Sequence, residues 1–255
     1  EARPYRLRIL NGSNSRIYKL AWDDDRPLNV IGTDGGLLAR PERRPYVTLA
    51  PGERVEIWAD FSHDAGGAEI ALESRSFPGS DAFTVMRVLV EEAVTQSQPL
   101  PDRLSDIAWH AEEDAVNRRR PRTFEMDMQR MTWLLNGRTF EMNDVARNEV
   151  VRLGDLEVWE FVNQSPRMTL PHPIHVHNVQ FQVIDREVLP AYADQYTTLS
   201  EGFVDSGWKD TVLVMPGERV KILLKFAHYE GLYLYHCHNL EHEDMGMMRN
   251  YRIRA

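Results

Sequence analysis

The chain has 255 residues, of which 42% are hydrophobic and 27% are charged, and its formal net charge at pH 7 is −9. This balance is typical of a globular protein with one large or two ordinary domains. The acidic surplus argues against nucleic acid as a partner, because binding to phosphates needs a basic face, and no run of about 18 uncharged apolar residues predicts a membrane span.

Short runs of β-forming residues recur along the chain between Gly, Pro, Asn and Asp, and they predict strands. In chain order the strongest runs cover residues 5–10, 54–61, 84–90, 156–162, 179–184 and 219–226. This spacing predicts an all-β protein of the sandwich type.

An internal repeat predicts two copies of one β-domain. The sequence LAPGERVEIWADF (49–61) recurs as VMPGERVKILLKF (214–226). In the same order, LRILNGSN (7–14) parallels WEFVNQSP (159–166). Because the order of these pairs is kept while the loops between them change length, a duplication explains the chain best.

The repeat divides the chain into a first domain at 1–92, a solvated linker at 93–121 and a second domain at 122–255. The second copy has residues 122–157 ahead of its equivalent first strand, whereas the first copy begins almost at that strand. We therefore expect the N-terminal strands of the first domain to be missing. Either an N-terminal polypeptide was cut away, or a separate chain completes the fold.

Six of the nine histidines and the only cysteine fall into two short clusters, HPIHVH (172–177) and HCHNLEH (236–242). The first copy has IYKLAW (17–22) where the second has HPIHVH, so it cannot hold the same metal. A single cysteine excludes an internal disulfide, which leaves the compartment open and the thiol either a buried spectator or a reactive or metal-bound group. Isolated histidines, namely His63, His110 and His228, are interpreted as surface or hydrogen-bonded residues.

Alternation along a strand separates the side chains of HCH. His236 and His238 share one face of the strand, while Cys237 points to the other. A thiolate with two imidazoles and a thioether is the ligand set of a blue electron-transfer copper. On the cysteine face, His242 and Met247 are the nearest further donors, and His172 is the natural second imidazole.

On the other face, four histidines converge on a second site, namely His175, His177, His236 and His238. A cluster of imidazoles suits copper, zinc, nickel or iron, and its adjacency to the cysteine site favours copper. Zinc is disfavoured because HCH places its ligands on opposite faces of the strand, whereas a zinc site needs tetrahedral closure. Electrons could pass from the Cys237 sulfur through its own backbone to His236 or His238.

Two motifs, HPIHVHNVQF (172–181) and HCHNLEHEDMGMM (236–248), together resemble the C-terminal copper signatures of multicopper oxidases. The resemblance is greatest to the branch of bacterial spore-coat laccases and bilirubin oxidase. Supporting similarity covers most of the chain, including GWKDT (207–211), and is weakest at 93–121. It implies tandem cupredoxin-like Greek-key β-sandwich domains, the first one incomplete.

The resemblance also implies a role for each donor. His172, Cys237, His242 and Met247 correspond to the type 1 copper ligands, and Met245 and Met248 are alternative axial donors whose spacing departs from the motif. His175 corresponds to a type 2 ligand, and His177, His236 and His238 correspond to type 3 ligands.

A partner is implied as well, because the trinuclear centre of the family needs eight histidines and this chain provides four. In the family, the others form two His-x-His pairs in an N-terminal domain, and here such pairs occur only at 175–177 and 236–238. We therefore predict an N-terminal multicopper oxidase domain or a separate chain that supplies two pairs. The complete assembly would hold four copper ions.

The activity implied is one-electron oxidation of phenolic, aminophenolic or similar donors at type 1 copper. It is coupled to four-electron reduction of dioxygen to water at the trinuclear centre. Glu243, next to a ligand, is either a proton relay or a surface carboxylate in the acidic run EHED (241–244).

Three alternatives remain open. The chain could be a copper-binding electron-transfer module in which only the type 1 site is filled, or a metal-ion oxidase with cuprous or manganous donors. A two-domain nitrite reductase relative is disfavoured, because HCH provides both histidines for a coupled copper pair. One copper per chain would indicate the electron-transfer module, and four per complete assembly would indicate the oxidase.

Overall fold

The computed structural model describes residues 1–92, 98–167 and 169–255, which form two compact units. The first unit comprises Glu1–Asn11, Arg16–Ile107 and Thr197–Gly207, and the second comprises Gly12–Ser15, Ala108–Tyr196 and Trp208–Ala255. Of the predicted linker at 93–121, residues 93–97 lie outside the described residues. The rest of it is shared between the two units, and the predicted domain bounds stay a prediction.

Eight strands build the first unit as two four-stranded sheets, ordered β1-β6-β3-β4 and β5-β2-β7-β8. The strands are β1 (Pro4–Leu10), β2 (Tyr18–Trp22), β3 (Leu28–Thr33), β4 (Gly36–Arg44), β5 (Val47–Leu49), β6 (Arg54–Asp60), β7 (Glu69–Ser74) and β8 (Phe83–Leu89). Every second residue of β6 is buried, as in a sheet with one face against the core. Val30 and Ile57 of one sheet share a core cluster with Leu20 and Leu72 of the other.

Ten strands build the second unit as two five-stranded sheets, ordered β10-β9-β12-β16-β14 and β11-β18-β17-β13-β15. The strands are β9 (Arg122–Gln129), β10 (Thr132–Leu135), β11 (Val150–Arg152), β12 (Leu156–Asn163), β13 (His172–Val176), β14 (Phe181–Val188), β15 (Thr211–Val214), β16 (Glu218–Lys225), β17 (Gly231–Cys237) and β18 (Met248–Arg254). Trp159 and Ile222 of the first sheet pack in one cluster with Tyr235 and Tyr251 of the second.

Two short helices complete the described elements, α1 (Ala193–Ser200) and α2 (Leu240–Asp244), together with 3-10 turns at Glu112–Asp114, Arg147–Glu149 and Pro190–Tyr192. No helix among the described residues is long and apolar enough to cross a membrane. Because most of the described elements are strands, the all-β prediction is confirmed.

All six predicted strand runs are confirmed as β1, β6, β8, β12, β14 and β16. The run predicted at 179–184 differs in its bounds, because β14 begins at Phe181 and continues to Val188. Its pairing with β16 shifts between Val183 and Asp185, and such a bulge lets a strand continue where a simple alternation of side chains stops.

The repeat is visible as the same turn built twice. Gly52 and Gly217 adopt φ values of 82° and 75°, a left-handed conformation that glycine favours. The carboxylates of Glu53 and Glu218 accept hydrogen bonds from the backbone N–H three residues earlier, at 2.8 and 2.6 Å. Both turns lead into the strand, β6 or β16, that pairs with the first repeated strand, β1 or β12.

The second unit has strands ahead of β12 that shape the site. β9 pairs in parallel with β12, and β10 folds back on β9 as an antiparallel hairpin. β11 pairs in parallel with β18. In the second unit, β12 thus lies between β9 and β16. In the first unit, the equivalent strand β1 pairs with β6 on one side and has no strand partner on the other side among the described residues.

Candidate metal centre

Five of the six clustered histidines lie in the neighbouring strands β13 and β17 or directly after them. His172, His175 and His236 lie within the strands, and His177 and His238 are the residues that follow the strand ends. The strands pair antiparallel, with Ile174 opposite Cys237 and His175 opposite His236. Because side chains alternate along a strand, Cys237 and His236 point to opposite faces of the sheet. One pair of strands therefore supplies two separate groups of donors.

The first group is buried and consists of His172, Cys237 and His242. The Cys237 Sγ lies 3.4 Å from Nδ1 of His172 and 3.5 Å from Nδ1 of His242, and the two Nδ1 atoms are 3.2 Å apart. The exposed fractions of His172 and His242 are 0% and 5%. The short helix α2 brings His242 back beside the strand that ends at Cys237.

Met247, predicted as the axial ligand, is fully buried beside this group. Its carbonyl accepts a hydrogen bond from the Cys237 N–H at 3.0 Å, and its own N–H donates to the His242 carbonyl at 2.9 Å. The alternative axial donors lie elsewhere. Met245 is 49% exposed, and Met248 is paired with His236 in the β17–β18 ladder.

The donors of the first group fit a copper ion. Three donors held by metal bonds of about 2 Å at the corners of a triangle lie roughly 3.5 Å apart, and the observed separations are 3.2–3.5 Å. Two imidazoles and a cysteine with a methionine alongside are the donor set of blue copper proteins. Facing lone pairs on two neutral imidazoles repel each other unless a cation or a proton lies between them.

Burial sets the protonation of this group. It raises the pKa of the Cys237 thiol far above its usual range and lowers the pKa of His242 to about 4. The pKa of His172 is lowered well below its usual value, first by burial and then by the neighbouring His242. At neutral pH the metal-free group is a thiol with two neutral imidazoles, so a metal ion that binds the sulfur must displace its proton.

The second group lies on the other face and consists of His175, His177 and His236, whose donor atoms lie within 4.8 Å of one another. The Nε2 atoms of His177 and His236 are 3.2 Å apart. His238 lies outside this limit, but its ring is 5.6 Å from that of His236 and 5.8 Å from that of His175. The structure thus brings three of the four predicted histidines together and places the fourth next to them.

Hydrogen bonds orient two rings of the second group. Nδ1 of His175 donates to the Asp210 carbonyl at 2.8 Å and lies 3.1 Å from the Thr211 hydroxyl, and Nδ1 of His236 lies 3.1 Å from the Cys237 carbonyl. A carbonyl can only accept, so each Nδ1 carries the hydrogen and each Nε2 lone pair is left for a metal.

Glu243 lies beside the second group, with its carboxylate 3.3 Å from Nδ1 of His236. Burial raises the pKa of this carboxyl, and the nearby His238 partly opposes the shift. Burial also lowers the pKa of His236 to about 3, so the imidazole is neutral at physiological pH. As the pH falls, the carboxyl therefore takes up a proton before the neutral imidazole takes up a second one.

The second group is open to solvent on one side. His175 and His177 line a pocket of about 710 Å³, together with His110, Trp208 and His228. The ring of His110 packs edge-on against Trp208 at 5.6 Å. His110 and His228, interpreted from the sequence as residues without a metal role, are not among the donor groups of the described residues.

Sequence reasoning missed three residues at these groups. Asp210 and Thr211 orient His175, and the sequence signal for them was the motif GWKDT, which carried no assigned role. Trp133, in the hairpin β9–β10, lies against both imidazoles of the buried group, at ring-centroid distances of 3.8 Å from His242 and 5.7 Å from His172. No motif marks it.

Comparisons with known proteins show which family the chain resembles. A family model described as multicopper oxidase matches residues 115–255. Laccases of Bacillus stratosphericus and Bacillus subtilis are 36% and 33% identical to the chain over 98% of its length, which covers 51% and 50% of theirs. A bilirubin oxidase of Albifimbria verrucaria is 33% identical over 97% of this chain and 44% of its own length.

Among solved structures, the McoA multicopper oxidase of Aquifex aeolicus matches 100% of this chain and 56% of its own, with a TM-score of 0.84 and 34% identity. These matches confirm the cupredoxin-like fold expected from the sequence. The chain spans about half the length of the curated relatives it matches.

Proposed function

The chain belongs to the multicopper oxidase family, and we propose that it forms the part of a laccase-like enzyme that takes up electrons and passes them toward oxygen. The observation that carries this proposal is the presence of two donor groups on opposite faces of strand β17. A direct covalent connection joins them, because Cys237 of the buried group is bonded to His236 of the open group.

Copper is the cofactor that the family implies, and each donor has a proposed role. His172, Cys237 and His242, with Met247 as axial ligand, would hold type 1 copper. His175 would hold type 2 copper, and His177, His236 and His238 would hold type 3 copper. The open second group would be closed by two His-x-His pairs from an N-terminal multicopper oxidase domain or a separate chain.

Copper ions bound at these groups would accept single electrons from phenolic, aminophenolic or similar donors and deliver four of them to dioxygen, which leaves as water. The protein's own contribution is to fix the donors. Strand β17 and helix α2 hold Cys237 and His242 in a buried site, and Asp210 and Thr211 hold His175 in the tautomer that exposes Nε2.

Glu243 would supply protons to the second group. Its carboxylate is 3.3 Å from the His236 imidazole, and burial favours its protonated form. A carboxyl positioned beside a reaction site can pass protons between that site and solvent. The alternative for Glu243 is a purely structural contact that keeps the His236 ring in place.

A second candidate function is an electron-transfer module in which only the buried group is filled. It is favoured by one observation, namely that the buried group has its donors within this chain whereas the second group faces an open pocket. Copper stoichiometry together with oxygen uptake distinguishes the two. Four copper ions per complete assembly and phenol-dependent oxygen uptake would support the oxidase, and one copper per chain without uptake under any reconstitution would contradict it.

A further inference from the structure

We propose that the electron donor docks on Trp133, so that electrons enter the buried copper site through the indole stacked on His242. This inference rests on the proposed function, since it identifies the surface at which the type 1 site is reduced. The chemical class of donor that fits is a planar aromatic molecule, because a neutral indole offers stacking and no charge.

The stack itself is close. The rings of Trp133 and His242 have centroids 3.8 Å apart and planes inclined by 33°. The same indole meets His172 edge-on at 5.7 Å and 68°. Both imidazole donors of the buried group therefore contact one aromatic side chain, and offset contacts of this kind are favourable between aromatic rings.

Differences in exposure place the indole between solvent and the site. His172 and His242 are 0% and 5% exposed, whereas Trp133 is only partly buried. An electron donor in solution therefore has almost no access to either imidazole, but it can contact the indole. The Trp133 side chain is the aromatic surface that links that contact to a ligand of the buried group.

The backbone around Trp133 is held in a tight hairpin. Arg130 and Met131, at the tip, adopt φ values of 48° and 65°. A two-residue turn with both residues left-handed normally uses Asn-Gly, because side chains strain this conformation. Trp133 then pairs with Met128 across the hairpin, and both pack on the core cluster that contains Cys237 and Met247. Backbone strain of this kind is concentrated at functional sites.

The electron transfer balances as follows. One electron would leave the aromatic donor, cross the Trp133–His242 stack and reduce a cupric ion, which His172, Cys237 and His242 would hold, to the cuprous state. The oxidised phenol releases its proton to solvent, and Trp133 is unchanged after the step. The cupric ion is the only oxidant that the step requires.

The test uses the full chain loaded with cupric ion under anaerobic conditions and mixed with a methoxyphenol. Bleaching of the blue absorption reports reduction of the buried site without any need for the oxygen-reducing centre. Trp133→Leu should bleach about two- to tenfold more slowly at low donor concentration, the loss expected for one aromatic contact. Trp133→Phe should retain most of the rate.

Trp109→Leu is the matched control, because Trp109 is 52% exposed and belongs to neither donor group, and its bleaching rate should equal that of the wild type. Equal rates for Trp133→Leu and the wild type, with equal copper content, would overturn the proposal. So would a slow Trp133→Leu variant whose blue band has moved, because Trp133 would then only position the ligands. Failure of the wild type itself to become blue or to bleach would contradict the proposed function instead.

A second readout needs no metal. Diethyl pyrocarbonate modifies accessible neutral imidazoles, and mass spectrometry of the peptides identifies which histidine has reacted. In the metal-free chain, His242 should react faster in Trp133→Leu than in the wild type, while His63 should react equally in both. An unchanged rate at His242 would show that the indole does not cover the imidazole and would overturn the proposal.

Discussion

The Nδ1 atoms of His172 and His242 lie 3.2 Å apart in a buried site, although the two residues are 70 positions apart in the sequence. His172 begins strand β13 and His242 lies in helix α2, so the sheet and the helix after Cys237 must both form before the two nitrogens meet. A cation between them would relieve the repulsion of their lone pairs.

Replacing one of these imidazoles should weaken copper binding at the buried group. In His242→Asn we expect at least a tenfold loss of copper affinity, because loss of a ligand exceeds the roughly 10–100-fold effect of losing a residue that only orients one. Copper titration against a competing chelator, with the blue absorption as the readout, measures this. His63→Asn, at an exposed histidine of the first unit, should match the wild type. Equal affinity in both variants would contradict a role of His242 as a ligand.

The Thr211 hydroxyl, 3.1 Å from Nδ1 of His175, should influence metal binding at the open group. Thr211→Val keeps the shape of the side chain and removes the hydroxyl, so we expect copper affinity of the second group to fall by about 10–100-fold. Thr211→Ser retains the hydroxyl and should recover most of the affinity. Electron paramagnetic resonance separates this copper from that of the buried group, whose signal should not change. An equal loss of copper affinity in Thr211→Val and Thr211→Ser would indicate a packing effect instead.

Metal-free protein should lose stability as the pH falls below the ordinary histidine pKa of 6.5. Burial lowers the pKa of His236 to about 3 and that of His242 to about 4, so the unfolded chain binds protons that the folded chain does not. Each residue should lower the free energy of unfolding by about 1.4 kcal/mol per pH unit between pH 6.5 and its own folded pKa. Above pH 6.5 the contribution of these histidines to the free energy of unfolding does not change with pH.

Urea unfolding of the metal-free chain between pH 7 and pH 5 measures this slope. His242→Asn is the comparison, since it removes one of the titrating groups and should make the decline less steep. Identical slopes in the two proteins would contradict the lowered pKa of His242.

A buried ion pair near Cys237 should be important for stability. The Glu149 carboxylate accepts two hydrogen bonds from Arg249, at 2.7 and 2.8 Å, and one from the Tyr235 hydroxyl at 2.8 Å. Glu149→Gln leaves the buried arginine with Asp144 as its remaining charged partner, so we expect a loss of about 3 kcal/mol in unfolding free energy. Denaturant unfolding measures it, with the exposed Glu141→Gln as control. A loss no larger than that of the control would mean that the pair contributes little.

The sequence predicted those features that depend on local pattern. Alternation in HCH predicts that Cys237 and His236 face different groups, and the structure places them so. The repeated Pro-Gly-Glu sequence predicts a repeated turn, since Gly52 and Gly217 supply the same left-handed conformation.

Features that depend on contacts between distant segments could not be predicted. Trp133 precedes its neighbour His242 by more than a hundred residues, and only the folding of hairpin β9–β10 onto the core brings them together. The Asp210 carbonyl meets His175 through backbone geometry that no side-chain pattern encodes. The unit boundaries differ from a simple division of the chain because Thr197–Gly207 is grouped with the first unit.

The central claim is that Cys237 serves one metal site while the histidines on either side of it serve another. The most direct test is the absorption and electron paramagnetic resonance of copper-loaded Cys237→Ser. We predict that the intense blue absorption and its bleaching by a phenol disappear, because they need the thiolate, while copper bound at the second group, where His175 is the proposed type 2 ligand, keeps its resonance signal. Survival of the blue absorption together with phenol-driven bleaching in this variant would contradict the account.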